Sequence, residues 1–108
     1  MSLSHAAYAL AKLRERITAM KEFTYIIQDK NGMHARPAGK LATFAKQFSS
    51  QIKVRAGEKE ADGKRLLALM SLGATHGAEL KFTITGEDEN EALSALQAFC
   101  KDSWGNGI

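Results

Sequence analysis

A chain of 108 residues, 44% hydrophobic and 25% charged, has room for one globular domain with at most one appended segment, and its composition excludes a fibrous or low-complexity protein. The single cysteine, Cys100, rules out an internal disulfide and points to a reducing compartment, the cytoplasm. A formal charge of +3 suits an acidic partner or a phosphorylated group without by itself implying nucleic acid, and no apolar run approaches the roughly 20 residues that span a bilayer or forms the block of a signal peptide.

Taken in chain order, residues 1–20 read as a helical extension of a domain covering residues 21–108. Ala6, Leu10, Leu13, Ile17 and Met20 recur at spacings of four and three, which places them on one helix face. Lys12, Arg14, Glu15 and Arg16 largely avoid that stripe. Their mixed signs favour a helix that packs on the domain or on a neighbouring chain over one that lies on a membrane. Met1-Ser2-Leu3 is compatible with a cloning remnant and Met20 with an alternative start; the sequence leaves both open.

The run from Phe23 to Gln28 is rich in β-branched and aromatic residues and predicts a strand, ended by the turn signal Asp29-Lys30-Asn31-Gly32. A helix is expected to start near Arg36 or Pro37, with Leu41, Phe44, Ala45 and Phe48 as its buried stripe and Ser49-Ser50 closing it. Ile52, Val54 and Ala56 alternate with Gln51, Lys53 and Arg55, the pattern of a half-buried strand. Gly57-Glu58 and Asp62-Gly63 bracket a short polar return strand. Leu66 to Leu72 reads as a short apolar helix stopped by Gly73. Leu80, Phe82 and Ile84 alternate with Lys81, Thr83 and Thr85, the clearest strand in the chain. The last helix begins at Asp88, which has capping-box spacing to Glu91, and its stripe is Ala92, Leu93, Leu96, Phe99 and Cys100. The order β-α-β-β-α-β-α after an N-terminal helix implies an α+β layer, with helices gathered on one face of an antiparallel sheet.

The segment that carries chemistry is Gly32-Met33-His34-Ala35-Arg36-Pro37-Ala38, between a strand and a helix. Pro37 has no backbone N–H and is tolerated only in the first helical turn, so it pins the helix start close to His34. The free amides of Ala35 and Arg36 at that start, with the partial positive charge of the helix end, make an anion site. Arg36 adds a fixed charge with forked donors suited to phosphate. Positive potential there favours neutral imidazole, whose lone pair can attack phosphorus, and afterwards stabilises the attached phosphoryl group. Each residue alone has a bland reading: His34 as a structural or solvated side chain, Arg36 as a surface charge, Pro37 as a helix starter. The combination is more specific than its parts.

That run resembles the active-site signature of HPr, the histidine-containing phosphocarrier of the bacterial sugar phosphotransferase system. Leu69-Met70-Ser71-Leu72-Gly73 with Gly77-Ala78-Glu79-Leu80, and Gly86 to Leu93, are similar to two further blocks of the family, so the resemblance runs from about Lys21 to Lys101. It implies an open-faced β-sandwich: a four-stranded antiparallel sheet with three helices on one face. It implies that His34 is phosphorylated, on Nδ1, and that Arg36 assists the phosphate. The donor would be phosphorylated enzyme I, charged from phosphoenolpyruvate, and the acceptors sugar-specific components of the transport system. Such a protein is a stoichiometric carrier rather than an enzyme, and needs no cofactor. In many relatives the residue that begins the short helix is a serine phosphorylated by a regulatory kinase; here it is Arg65, which cannot accept a phosphoryl group.

On that short helix Leu69 and Leu72 can face the core, while Leu66, Leu67 and Met70 cluster on another side. With Met33 and Gly39 they make a candidate docking surface for partners. His76 reads as a solvated loop residue, Trp104 as a cover over the core edge, and Cys100 as a small buried apolar group. No His, Cys, Asp and Glu grouping has metal-binding spacing. The alternative to a relay is an HPr-like regulatory module whose docking is switched by phosphorylation of His34. A nucleic-acid binder, suggested by the sequence pI of about 9.1, is disfavoured because the basic residues are scattered without interleaved stacking aromatics.

Overall fold

The computed structural model describes residues 20–104. The helix expected over residues 1–20 lies, Met20 apart, outside them. Four strands are present: β1 Lys21–Ile26, β2 Gln51–Ala56, β3 Lys59–Asp62 and β4 Glu79–Thr85. They alternate with three helices, α1 Ala35–Ala45, α2 Leu66–Met70 and α3 Glu89–Ala98, and α3 runs on into a π-helical segment, Phe99–Trp104. The sheet has the order β1-β4-β2-β3 with every neighbouring pair antiparallel.

The alternation in the strands decides which face the helices cover. Ile52, Val54, Leu80, Phe82 and Ile84 are fully buried, whereas Gln51, Lys53, Arg55 and Lys81 between them are exposed. The register sets Phe82 opposite both Phe23 and Val54, and the Phe23 and Phe82 rings stack with centroids 4.6 Å apart. Helix α1 supplies Ala38, Leu41, Ala42 and Ala45 to this core, α2 supplies Leu69, and α3 supplies Ala92 and Leu96. Each large apolar side chain so buried contributes about 1.5–3 kcal/mol relative to exposure. The β2–β3 hairpin closes through Gly57-Glu58, where Gly57 takes a positive φ of 62° as the first central residue of a tight two-residue hairpin turn.

Helix α1 starts one residue before the expected Arg36 and stops at Ala45 rather than at Ser49-Ser50. The two serines serve another contact. The Asp88 carboxylate accepts hydrogen bonds from the Ser49 and Ser50 amides, each 2.9 Å, and from the Ser50 hydroxyl. Ser50 is buried, so its donors need a partner. This draws the Asp88 carboxylate away from capping α3, and the expected Asp88–Glu91 box does not form. The Glu89 carboxylate instead accepts the Gly86 amide at 2.9 Å.

At the other end of α3, the π-helical segment turns Phe99 onto Phe44, with ring centroids 4.5 Å apart. Trp104 is buried, and its indole N–H donates to the Pro37 carbonyl at 2.8 Å. Cys100 is buried, and desolvation pushes its thiol up to about 12, so it stays protonated and unreactive at neutral pH.

Two outcomes follow for stability. Gly32 has a φ of +71°, and a Cβ there would lie 2.4 Å from the Ala74 carbonyl oxygen. Gly32→Ala should destabilise the domain by about 1–3 kcal/mol, measurable by urea unfolding. Asp88 is held below its ordinary value of 3.8, first by the Ser50 hydroxyl and then by the Ser49 amide, against an opposing effect of burial. The stability it contributes is complete above that ordinary value and is lost as the pH falls through the depressed one. Asp88→Asn should therefore flatten the acid side of the stability profile in unfolding curves recorded between about pH 2 and pH 6.

Candidate functional site

The site is built on the turn between β1 and α1. Asp29 opens it: its carbonyl accepts the Gly32 amide at 3.0 Å and its Oδ1 accepts the Asn31 amide at 2.8 Å. Gly32 reverses the chain in the left-handed region, which a side chain would strain. Met33 follows, and its amide donates to the Ala74 carbonyl at 2.9 Å. Met33 is only 6% exposed, which corrects its expected place on a docking surface. A flexible apolar side chain beside a tight turn fills the core, and here it anchors the residue before His34.

His34 is extended, with φ −101° and ψ −173°, and occupies the N-cap position of α1. Its amide donates to the Gly32 carbonyl and its carbonyl accepts the Ala38 amide, both at 3.0 Å. The imidazole makes no cap bond. It is 39% exposed, and Nε2 lies 3.3 Å from Asp29 Oδ2. Among the described residues the amides of Ala35 and Arg36 have no acceptor, and Pro37 has none to donate. No acidic residue stands in the first turn to neutralise this end. Arg36 is exposed, and among the described residues no carboxylate lies within ion-pair distance of its guanidinium. Among the described residues, His34, two amides without an acceptor and a guanidinium without an ion-pair partner thus share one turn.

Asp29 is the member that reading the sequence missed. It was visible only as the first residue of a turn signal; the reversal at Gly32 is what returns His34 over its carboxylate. Its carboxyl is held below the ordinary value of 3.8, first by the Asn31 amide and further by the His34 ring and the charge of Arg36, with desolvation opposing. Asp29 is therefore ionised at neutral pH.

Trp104 was expected only to cover the core edge. It does so against the Tyr25 ring, centroids 5.3 Å apart, while its bond to the Pro37 carbonyl ties the first turn of α1 to the end of the domain. Leu66, Leu67 and Met70 are exposed by 39%, 78% and 37%, whereas Leu69 and Leu72 are buried. A Cβ at Gly39 would stand 4.0 Å from Leu66 Cδ1, so the patch continues along α1 toward His34. Arg65 is the exposed, extended N-cap residue of α2, and His76 is exposed in its loop. Among the described residues no group of His, Cys, Asp and Glu is placed to hold a metal ion, and no helix is long and apolar enough to cross a membrane.

Comparison with known proteins places this geometry. Residues 21–102 match the family model described as the PTS HPr component phosphorylation site. The phosphocarrier protein HPr of Mycoplasma genitalium is 42% identical over 80 residues, 73% of this chain and 91% of that protein. Among solved structures, HPr from Thermoanaerobacter tengcongensis superposes with a TM-score of 0.73 at 39% identity, covering 82% of this chain and 99% of that one. HPr from Bacillus anthracis gives 0.69 at 33% identity, covering 75% and 96%. The four-stranded open sheet with its three helices is the architecture these proteins share, and with the match in sequence over the same residues it shows that the chain belongs to the HPr family of phosphocarriers of the phosphotransferase system.

Proposed function

We propose that this protein relays a phosphoryl group in the cytoplasm. It takes the group on His34 from phosphorylated enzyme I, itself charged from phosphoenolpyruvate, and passes it to sugar-specific components of the transport system. The observation that carries the reading is the placement of a half-exposed imidazole at the N-cap of a helix whose first two amides have no acceptor among the described residues. Bare amides and the helix-end potential suit a phosphoryl group, whose charge they meet by hydrogen bonding. Arg36, next but one to His34, supplies an exposed forked donor for the phosphoryl oxygens during transfer. Among the described residues His34 is 39% exposed and Arg36 is exposed, which fits a carrier: the interactions hold a dianion without burying it, so an acceptor can reach phosphorus from outside.

The exposed Leu66, Leu67 and Met70 suit transient docking of the donor and the acceptors. They are few, exposed and close to α1, in keeping with the small interfaces of short-lived complexes. The group on His34 is a covalent phosphohistidine, and the carrier turns over no small molecule of its own.

Incubation with enzyme I and phosphoenolpyruvate should yield one acid-labile phosphate, located by mass spectrometry in the peptide containing His34. His34→Ala should abolish uptake with the fold intact, because the ring lies at the surface. A stable phosphate on a serine or threonine, or full labelling of His34→Ala, would refute the assignment. Arg36→Ala should slow transfer by about 10- to 100-fold, at or below the cost of losing a desolvated oxyanion donor because this side chain is solvated. Leu67→Asp should weaken enzyme I binding by about tenfold or more in a titration, with labelling at saturating enzyme I unchanged. Onward transfer to a sugar-specific acceptor separates the relay from a regulatory module, which would be phosphorylated without discharging.

A further inference from the structure

Asp29 is the charged group bonded to His34, and the contact is local and specific: Oδ2 faces Nε2 at 3.3 Å while Oδ1 is occupied by the Asn31 amide at 2.8 Å. The geometry points to Asp29 as a positioning residue that keeps a proton on Nε2 of His34 throughout the transfer cycle and so reserves Nδ1 for phosphorus. This inference rests on the carrier reading.

An ionised carboxylate only accepts hydrogen bonds, so the ring nitrogen facing it must donate. A neutral imidazole with its proton on Nε2 has its nucleophilic lone pair on Nδ1. The carboxylate therefore selects the tautomer and fixes the ring plane, as a hydrogen-bonded carboxylate orients other functional histidines. Arg36 is the other charge that acts on Asp29, and it favours the ionised form.

The same proton matters in both half-reactions. In uptake, the Nδ1 lone pair forms the nitrogen–phosphorus bond as the donor's bond to phosphorus breaks, and that electron pair leaves with the donor. The ring is then phosphorylated on Nδ1 and protonated on Nε2, formally cationic, with Asp29 beside it as counter-charge. In discharge, the acceptor attacks phosphorus and the Nδ1–phosphorus pair returns to Nδ1. The ring departs as neutral imidazole still carrying the Nε2 proton, so no proton is exchanged in either direction. Without that proton the leaving group would be imidazolate, a much stronger base and a much poorer leaving group.

Asp29→Asn separates this role from a structural one. Asparagine has the same shape and can keep the turn by accepting the Asn31 amide through its oxygen. Its NH₂ group then faces Nε2, which must accept, and the ring proton moves to Nδ1, where it blocks the nucleophile. The experiment uses the full chain with ¹⁵N-labelled histidine, reading the His34 ring tautomer by NMR and timing phosphoryl uptake and discharge with enzyme I, phosphoenolpyruvate and an acceptor. The wild type should carry its proton on Nε2. Asp29→Asn should move the ring toward the Nδ1–H tautomer and slow uptake by about tenfold or more, with an unchanged amide spectrum elsewhere. Asp29→Glu should recover part of the rate. A wild-type ring protonated on Nδ1, or an Asp29→Asn protein that takes up phosphate at the wild-type rate, overturns the role of Asp29 alone. A wild-type protein that takes up no phosphate overturns the carrier reading and this inference together.

Discussion

Everything at the site depends on holding open the first turn of α1. Among the described residues, a helix end with two unpartnered amides, no acidic residue and no side-chain cap lacks the interactions that ordinarily steady it. Packing supplies what capping does not. Met33 is anchored in the core and bonded to the Ala74 carbonyl just before His34. Pro37 and Ala38 are buried just after it, and Trp104 holds the Pro37 carbonyl from the opposite end of the chain. The donors can stay free for an anion because the backbone that presents them is fixed from both sides.

His34 meets charge of both signs. The helix end and Arg36 are suited to an anion, whereas Asp29 contacts Nε2, the ring nitrogen that the proposal leaves free of phosphorus. In the proposed relay each charge addresses a different part of the phosphorylated residue: cationic groups its dianion, the carboxylate its imidazolium. The site remains at the surface, where water weakens each interaction. A relay requires that balance, since a pocket that bound the phosphoryl group more tightly would hold it back from the acceptor.

The parts of the fold legible in the sequence are those written in local periodicity. Leu80, Phe82 and Ile84 alternate with polar residues and lie on the buried face of β4; Leu69 and Leu72 face the core while Leu66, Leu67 and Met70 do not. The Gly32–Ala38 motif likewise announces the start of α1 beside His34, because Pro37 fixes a helix start within a few residues. What stayed hidden are contacts between distant segments, which leave no periodic trace. Asp88 spends its carboxylate on serines 38 and 39 residues away rather than on its own helix, and Trp104 reaches Pro37 across 67 residues. Asp29 and His34 are only five residues apart, yet their meeting depends on the reversal at Gly32, which a turn signal announces without saying what it brings together. Met33 differs for a similar reason: adjacency to His34 in sequence suggests the surface, and the tight turn instead sends its side chain inward.

The most direct test of the account is a ³¹P–¹⁵N NMR experiment on the phosphorylated full chain, read together with the amide spectrum. The account predicts scalar coupling of phosphorus to Nδ1 of His34, with the amide protons of Ala35 and Arg36 moving downfield as they bond to the phosphoryl oxygens. Coupling to Nε2, or Ala35 and Arg36 amides that do not respond to phosphorylation, would contradict it.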